Sequence, residues 1–219
     1  DNGKELWKIK SGNTLIKSDK KLSIVIENNI LYFNNSIGDI SAVDIDSGNL
    51  LWQTPTQNNS IYQDSFFLKT SDLITNGNSV IFSNNQNEFY SLDAKTGFVN
   101  WKQEIDSNLT STLINELIFA ISNEGYLIII NDESGNIVRI TDVFNLFKPK
   151  KRSKIKPVGF FAGKQNIYLT TNHGKLLVID IKTGKTLSIL KIDNTKISRP
   201  FVLDKNLFII KKNSIIKLN

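Results

Sequence analysis

The chain has 219 residues, 40% of them hydrophobic and 22% charged, with a formal net charge of +6. That balance excludes a disordered tail and suits one substantial globular domain or a large piece of one. Cysteine is absent, which removes disulfides, thiolate metal sites and cysteine nucleophiles and fits either redox compartment.

No stretch approaches the roughly 18 uninterrupted apolar residues of a membrane helix, and no basic, apolar leader precedes Asp1. The expectation is a chain that neither spans a membrane nor carries a targeting segment as given. Methionine is missing as well, which points to a processed protein or a fragment. Abundant Asn, Lys and Ile suggest an AT-rich genome, so Asn-rich motifs, including the sequon at Asn108-Leu109-Thr110, carry little weight.

In chain order, DNGKELW (Asp1 to Trp7) matches a later DSGNLLW one for one and predicts only the outer half of a β-hairpin. After a long entry segment, SGNTLIKSDKK (Ser11 to Lys21), the apolar run NILYFNN predicts a strand. GDISAVDIDSGNLLW (Gly38 to Trp52) follows. Alternating Ile40 and Ala42 make an inner strand, Asp-x-x-x-Gly makes a turn, and Leu50 to Trp52 open the next strand. The same sentence recurs as NEFYSLDAKTGFVNW (Asn87 to Trp101), GYLIIINDESGNIVR (Gly125 to Arg139) and GKLLVIDIKTGKTLS (Gly174 to Ser188). Each copy is preceded by an apolar run: SVIFSNN, LIFAISN and NIYLTTN. NSIIKLN, from Asn213 to the end, is a truncated fifth copy.

Gly48, Gly97, Gly135 and Gly184 share one register, as a turn needing positive φ requires. Asp44, Asp93, Asn131 and Asp180 stand four residues earlier, where a side-chain oxygen can accept from free turn amides. Repeats of about 40 to 50 residues with about four strands each indicate the blades of an all-β propeller of antiparallel four-stranded sheets. Four blades are complete and a fifth is split between the termini. Either Asp1 to Lys10 closes the last blade, making 1–219 a single propeller domain, or upstream residues supply further blades and this is the C-terminal part of a larger ring. The second is preferred, because the chain starts inside a hairpin.

The repeat D-x-x-x-G-x-x-x-W with its apolar-alternating strand resembles the PQQ-like propeller repeat of quinoprotein dehydrogenases and of the BamB family of outer-membrane assembly lipoproteins. The ending GKLLVIDIKTGKTLSILKIDNTKISRPFVLDKNLFIIKKNSIIKLN (Gly174 to Asn219) is similar to the carboxyl end of that second family, whose ring is eight-bladed. This resemblance implies a non-enzymatic scaffold in outer-membrane β-barrel assembly at the periplasmic face. A quinoprotein relative would instead imply bound PQQ between aromatic and vicinal-cysteine surfaces, a calcium ion and a catalytic aspartate. The cysteine pair is impossible here. DIDSGN (Asp44 to Asn49) mimics the start of a calcium loop but lacks the later Glu and coincides with the hairpin turn. His173, the only histidine, lies in TNHGK and reads as a surface turn residue. No catalytic residue, cofactor or metal site is therefore expected. The alternatives kept open are a quinoprotein fragment and a propeller sensor or adhesin.

Trp7, Trp52 and Trp101 repeat in register and are expected to pack between blades, with each N–H finding a carbonyl; Arg139 and Ser188 replace them in later copies. Two departures from the repeat could carry function. KPKKRSKIK (Lys148 to Lys156) concentrates positive charge and would suit an acidic partner or an anionic membrane surface. No aromatic interleaving accompanies it, so nucleic acid is not expected. The entry segments, Ser11 to Lys21 and Asn58 to Asp72, hold apolar residues that alternation does not require, notably Ile16, Ile61, Phe66 and Phe67. In the BamB-type family, such loops dock on periplasmic repeats of the barrel insertase BamA through leucine and arginine in one loop and an acidic pair in the next. By resemblance, Leu15, Ile16 and Lys17 stand for the first group. The acidic pair reads Phe67 and Lys69, with Asp64 near, which is a departure from that pattern.

Overall fold

A computed structural model describes residues 3–10, 22–35, 38–56, 70–84 and 87–218. It is almost entirely strand. The first sheet orders β1 (Ile24–Glu27), β2 (Ile30–Asn34), β3 (Ile40–Asp44) and β4 (Leu50–Thr54). The second has β5 (Ile74–Thr75), β6 (Ser79–Ser83), β7 (Glu88–Asp93) and β8 (Val99–Glu104). The third has β9 (Thr112–Ile114), β10 (Leu117–Ile121), β11 (Tyr126–Asn131) and β12 (Ile137–Asp142). A single helical turn, α1 (Pro149–Arg152), separates it from β13 (Pro157–Ala162), β14 (Asn166–Thr171), β15 (Lys175–Asp180) and β16 (Thr186–Lys191) of the fourth. The fifth has three strands, β17 (Phe201–Leu203), β18 (Asn206–Lys211) and β19 (Ser214–Leu218). Neighbouring strands pair antiparallel throughout.

These sheets fall into two compact units. One comprises Asp1–Ser111 with Glu133–Gly135, the other Thr112–Asp132 with Asn136–Asn219. Burial within each follows from strand position. Middle strands such as β3 and β6 are covered on both faces and are buried nearly throughout, their serines included, whereas β4 keeps only Trp52 inside. The first unit's core interleaves Tyr32, Ile40, Ala42 and Trp52 from the first sheet with Val80, Phe82 and Leu92 from the second. In the second unit, Leu176, Ile197 and Ile209 form a smaller cluster, with Tyr168 and Leu207 packed on it.

The repeated hairpin is built as its residues dictate. Asp44 Oδ1 accepts the Ser47 amide at 2.8 Å, Asp93 Oδ1 the Thr96 amide at 2.7 Å, and Asp180 Oδ1 the Thr183 amide at 2.7 Å. In each, a hydroxyl bond from the same Ser or Thr leads the causes that hold the carboxyl below its ordinary range. The turn glycines have φ of 72°, 74°, 71° and 73°, a region costly to any residue with a Cβ. A register shift at Ala42/Val43 recurs at Ser91/Leu92, Ile129/Ile130 and Val178/Ile179. This β-bulge was not visible in the repeat, because alternation does not show which residue is left over.

The tryptophans do what their register predicts. Trp7 Nε1 donates to Ile45 O at 2.8 Å and Trp52 Nε1 to Ala94 O at 3.0 Å, each acceptor being the residue after the turn aspartate. A Cβ on Gly48, Gly97 or Gly135 would lie 2.5 Å from Trp7, Trp52 or Trp101 respectively, so the bare turn is the seat for each ring. Two residues on from the tryptophans, Thr54 and Gln103 donate to Gly97 O and Gly135 O at 2.7 and 2.8 Å. In the second unit Arg139 occupies the tryptophan position and donates to Ile181 O at 3.0 Å and to Lys182 O. Ile181 again follows the turn aspartate, so a guanidinium replaces the indole without moving the acceptor.

The segment between β16 and β17 is fastened by Asp193. Its Oδ1 accepts the amides of Asn194 and Thr195 at 2.6 and 2.9 Å, and its Oδ2 meets Lys211 Nζ at 2.9 Å. The Lys211 ammonium first, then the Thr195 amide, hold this carboxyl well below the usual carboxylate range. A carboxyl depressed on folding contributes stability that is full above its unfolded value of about 3.9 and is lost as pH falls below it. In urea titrations Asp193→Asn is expected to be less stable than the parent at pH 7, with the gap closing as pH drops below about 4. A gap independent of pH would exclude this role.

Candidate functional site

The predicted partner-binding residues Leu15, Ile16, Lys17, Asp64, Phe66, Phe67 and Lys69 lie outside the described residues, as does Ile61. The chain that leaves both segments is described, and the two exits converge. Ser23, directly after the first segment, donates its amide to Asn34 Oδ1 at 2.7 Å. The same carboxamide donates through Nδ2 to Thr70 Oγ1 at 3.1 Å, at the exit of the second segment. One side chain, 1% exposed, thus holds the exits of both segments side by side. A third bond ties the pair again: Ser23 Oγ accepts the amide of Leu73 at 2.9 Å.

The entrance of the second segment is held likewise. Thr56 Oγ1 donates to Gly38 O at 2.7 Å, and Thr56 O accepts from Asn84 Nδ2 at 2.9 Å. Ser71 exchanges bonds with Ser83, accepting its amide on Oγ at 2.9 Å and donating its own amide to Ser83 O at 3.0 Å. Asn34, Asn35, Thr56, Thr70, Ser71, Ser83 and Asn84 are all buried. Such a floor is stable only while its polar groups stay paired, because an unpaired buried donor costs about 1–3 kcal/mol. It makes a rigid base from which variable loops can present side chains.

Sequence reasoning passed over this floor, because asparagine was set aside as a compositional bias. The signal that could have found it is register. Asn35, Asn84, Ser122 and Thr171 each stand three residues before a repeat start, and each bridges the turn between the second and third strands of its sheet. Asn35 and Asn84 Oδ1 accept the amides of Asp39 and Glu88 at 3.0 and 3.1 Å, while Ser122 and Thr171 Oγ accept those of Tyr126 and Lys175 at 3.3 and 3.2 Å. Beside Asn84, Glu88 also binds Tyr90 Oη and Lys102 Nζ, each at 2.7 Å. Burial opposes ionisation of Glu88, but Lys102, Tyr90 and Asn84 together lower its carboxyl; burial and the Glu88 bond push the Tyr90 phenol up.

The remaining sequence candidates resolve as follows. The Asp44–Asn49 stretch is the hairpin turn, with Asp44 engaged by Ser47. His173 is exposed on the turn before β15, its Nδ1 2.8 Å from Asn172 Oδ1. The basic run Lys148–Lys156 includes α1 and is exposed except for Arg152, which is half-buried, and the buried Ile155. A PQQ-type quinone does not fit these residues. The chain has no cysteine pair to face it, its tryptophans at the turns are committed to their glycine seats, and no group of three His, Asp or Glu able to hold a metal ion exists among the described residues.

Comparison with known proteins agrees with the repeat. The family described as outer membrane protein assembly factor BamB matches residues 1–141. Over 155 residues the chain is 25% identical to outer membrane protein assembly factor BamB of Legionella pneumophila (strain Paris), covering 69% of this chain and 35% of that protein. Over 125 residues it is 31% identical to the protein of the same name from Moranella endobia (strain PCIT), covering 55% and 29%. The chain thus spans about a third of the length of the curated relatives it matches. Among solved structures, BamB from Moraxella catarrhalis superposes with a TM-score of 0.59 at 14% identity, covering 89% of this chain and 70% of that one. The β-propeller domain of Cps50 (Swd1) from Myceliophteria thermophila gives 0.66 at 11% identity (90% and 64%). Quinohemoprotein alcohol dehydrogenase from Comamonas testosteroni gives 0.61 at 15% (93% and 41%). At such identities the likeness establishes the fold alone, which is that of a β-propeller.

Proposed function

Because the chain belongs to the outer membrane protein assembly factor BamB family, we propose that it is a non-enzymatic binding scaffold for outer-membrane β-barrel assembly. Its partner on this reading is the periplasmic part of a BamA-type barrel insertase, and its place is the periplasmic face of the outer membrane. The observation that carries the reading is the Asn34 carboxamide, which fastens the exits of both candidate loops to one buried floor. Two loops so fixed can act as one surface, and an interface needs only a few apolar anchors at its centre. Leu15, Ile16, Phe66 and Phe67 supply such anchors, with Lys17, Asp64 and Lys69 as charged rim. We further propose that 1–219 is the C-terminal part of a larger propeller, since the chain spans only about a third of the length of the curated relatives it matches.

The test is a titration of the full-length protein against the soluble periplasmic domains of the barrel insertase from the same organism. Saturable binding that Ile16→Asp with Phe67→Asp abolishes, while circular dichroism is unchanged, is the expected result. No binding at high micromolar concentration overturns the scaffold reading; unchanged binding by the double variant overturns the loop assignment.

A further inference from the structure

The connection between β12 and β13 is built as a platform, not as a slack loop. Its first residues are driven inward: Val143 and Phe144 are fully buried, and the Phe144 ring meets Phe147 edge to face at 5.5 Å. Phe147 N donates back to Phe144 O at 2.9 Å, closing a tight turn. The far end is pinned by Asn172, whose Oδ1 accepts the Lys156 amide at 2.8 Å and whose Nδ2 donates to Lys154 O at 3.1 Å. Between them, Ile155 is buried and Arg152 pairs with Asp142 while lying over the Tyr126 ring at 5.6 Å. Both ends and the middle are therefore fixed by bonds to the neighbouring fold.

What points outward is uniform in charge. Lys148, Lys150, Lys151, Lys154 and Lys156 are all exposed, and none forms an ion pair among the described residues. Asp142, the carboxylate that approaches this segment, is taken up by Arg152. Beside the lysines stands Leu146, 60% exposed on a turn whose other apolar side chains are buried or half-buried.

We propose that this platform is a docking surface for a bilayer containing anionic phospholipid. The lysines would sit at headgroup phosphates and Leu146 would enter the boundary with the acyl chains, the pairing of basic and apolar groups typical of surface-bound segments. The observations favour lipid over nucleic acid, because the local rings are already engaged: Phe144 is buried, Phe147 lies under Lys175 at 5.6 Å, and Tyr126 lies under Arg152. They also favour lipid over a specific acidic protein, since five mobile ammonium groups match a diffuse field of phosphates better than carboxylates in fixed positions. This inference is independent of the docking of the two loops on an insertase.

The experiment is co-sedimentation of the full-length protein with phosphatidylcholine vesicles, with or without phosphatidylglycerol. Binding is expected only with phosphatidylglycerol, and it should weaken as salt rises past about 0.1 M, where the Debye length is about 10 Å. Each lysine near an anionic surface contributes roughly fivefold. The variant Lys148→Gln, Lys150→Gln, Lys151→Gln, Lys154→Gln should therefore lose on the order of a hundredfold or more in partitioning. Leu146→Asp should weaken binding that remains at high salt. A control with equal charge loss, Lys191→Gln, Lys205→Gln, Lys212→Gln, Lys217→Gln, should keep most of the affinity. Equal loss in the control, equal binding to pure phosphatidylcholine, or no vesicle binding overturns the proposal. So does retention of a single-stranded oligonucleotide under conditions where vesicles are not bound.

Discussion

Replacing Trp52 by alanine is expected to lower the stability of the first unit by about 3–5 kcal/mol, the range for large aromatic truncations in a core. The ring is only 9% exposed and meets Tyr32 at 5.9 Å between centroids. Its N–H bond to Ala94 O joins the first sheet to the second at 3.0 Å. Truncation therefore opens a cavity between two sheets and removes one of the donors that reach Ala94 O; the other, Tyr32 Oη, lies at 3.2 Å. Trp52→Phe separates the contributions: most of the packing is kept and the N–H is lost, so a cost of about 1–2 kcal/mol should remain. Chemical denaturation followed by intrinsic fluorescence measures both. An unaltered midpoint for the alanine variant would contradict the latch.

Gly125→Ala is the second large effect, and it arises from too much matter where Trp52→Ala leaves too little. Gly125 has φ of +85°, a region that costs an L-residue about 1–2 kcal/mol. A Cβ there would lie 2.2 Å from Cδ2 of Phe144, which is fully buried and cannot swing aside. Overpacking of this kind costs a further 1–3 kcal/mol or so, giving an expected total of about 2–5 kcal/mol in thermal or denaturant unfolding. Asn87 shows how the register tolerates another residue: it holds φ of +62° where the other repeats have glycine, because asparagine adopts the left-handed region readily. Gly125→Asn should relieve part of the backbone strain but none of the clash with Phe144, and so remain close to the alanine variant.

The repeat was legible because its constraints are local. Alternation, turn glycine and turn aspartate each follow from a few neighbouring residues, and the strands, turns and tryptophan seats of the four full copies appeared where those residues placed them; residues 3–10, matched to the outer half of a hairpin, carry no strand, although Trp7 takes its seat. The bulge at Ala42/Val43 was not legible, since the leftover residue depends on how one strand registers on another. Arg139 was read only as a replacement for tryptophan. Its reach to Ile181 O required knowing what lay opposite. The Asn34 floor was missed for a different reason: a residue type that composition favours everywhere carries information only at the positions where geometry repeats.

One property of the latch bears on how such a chain changes over time. Its acceptor is a main-chain carbonyl, at Ile45, Ala94 or Ile181, so the receiving repeat needs no particular side chain beyond a bare glycine at the turn. Exchange of indole for guanidinium at the donor then demands no compensating change in its neighbour. At this one contact the donor position is free to drift alone and should not covary with side chains of the next repeat, unlike the packed positions of the shared core. Within this chain the exchange has already happened once, between Trp52 and Arg139, while the carbonyl after the turn aspartate stayed the acceptor.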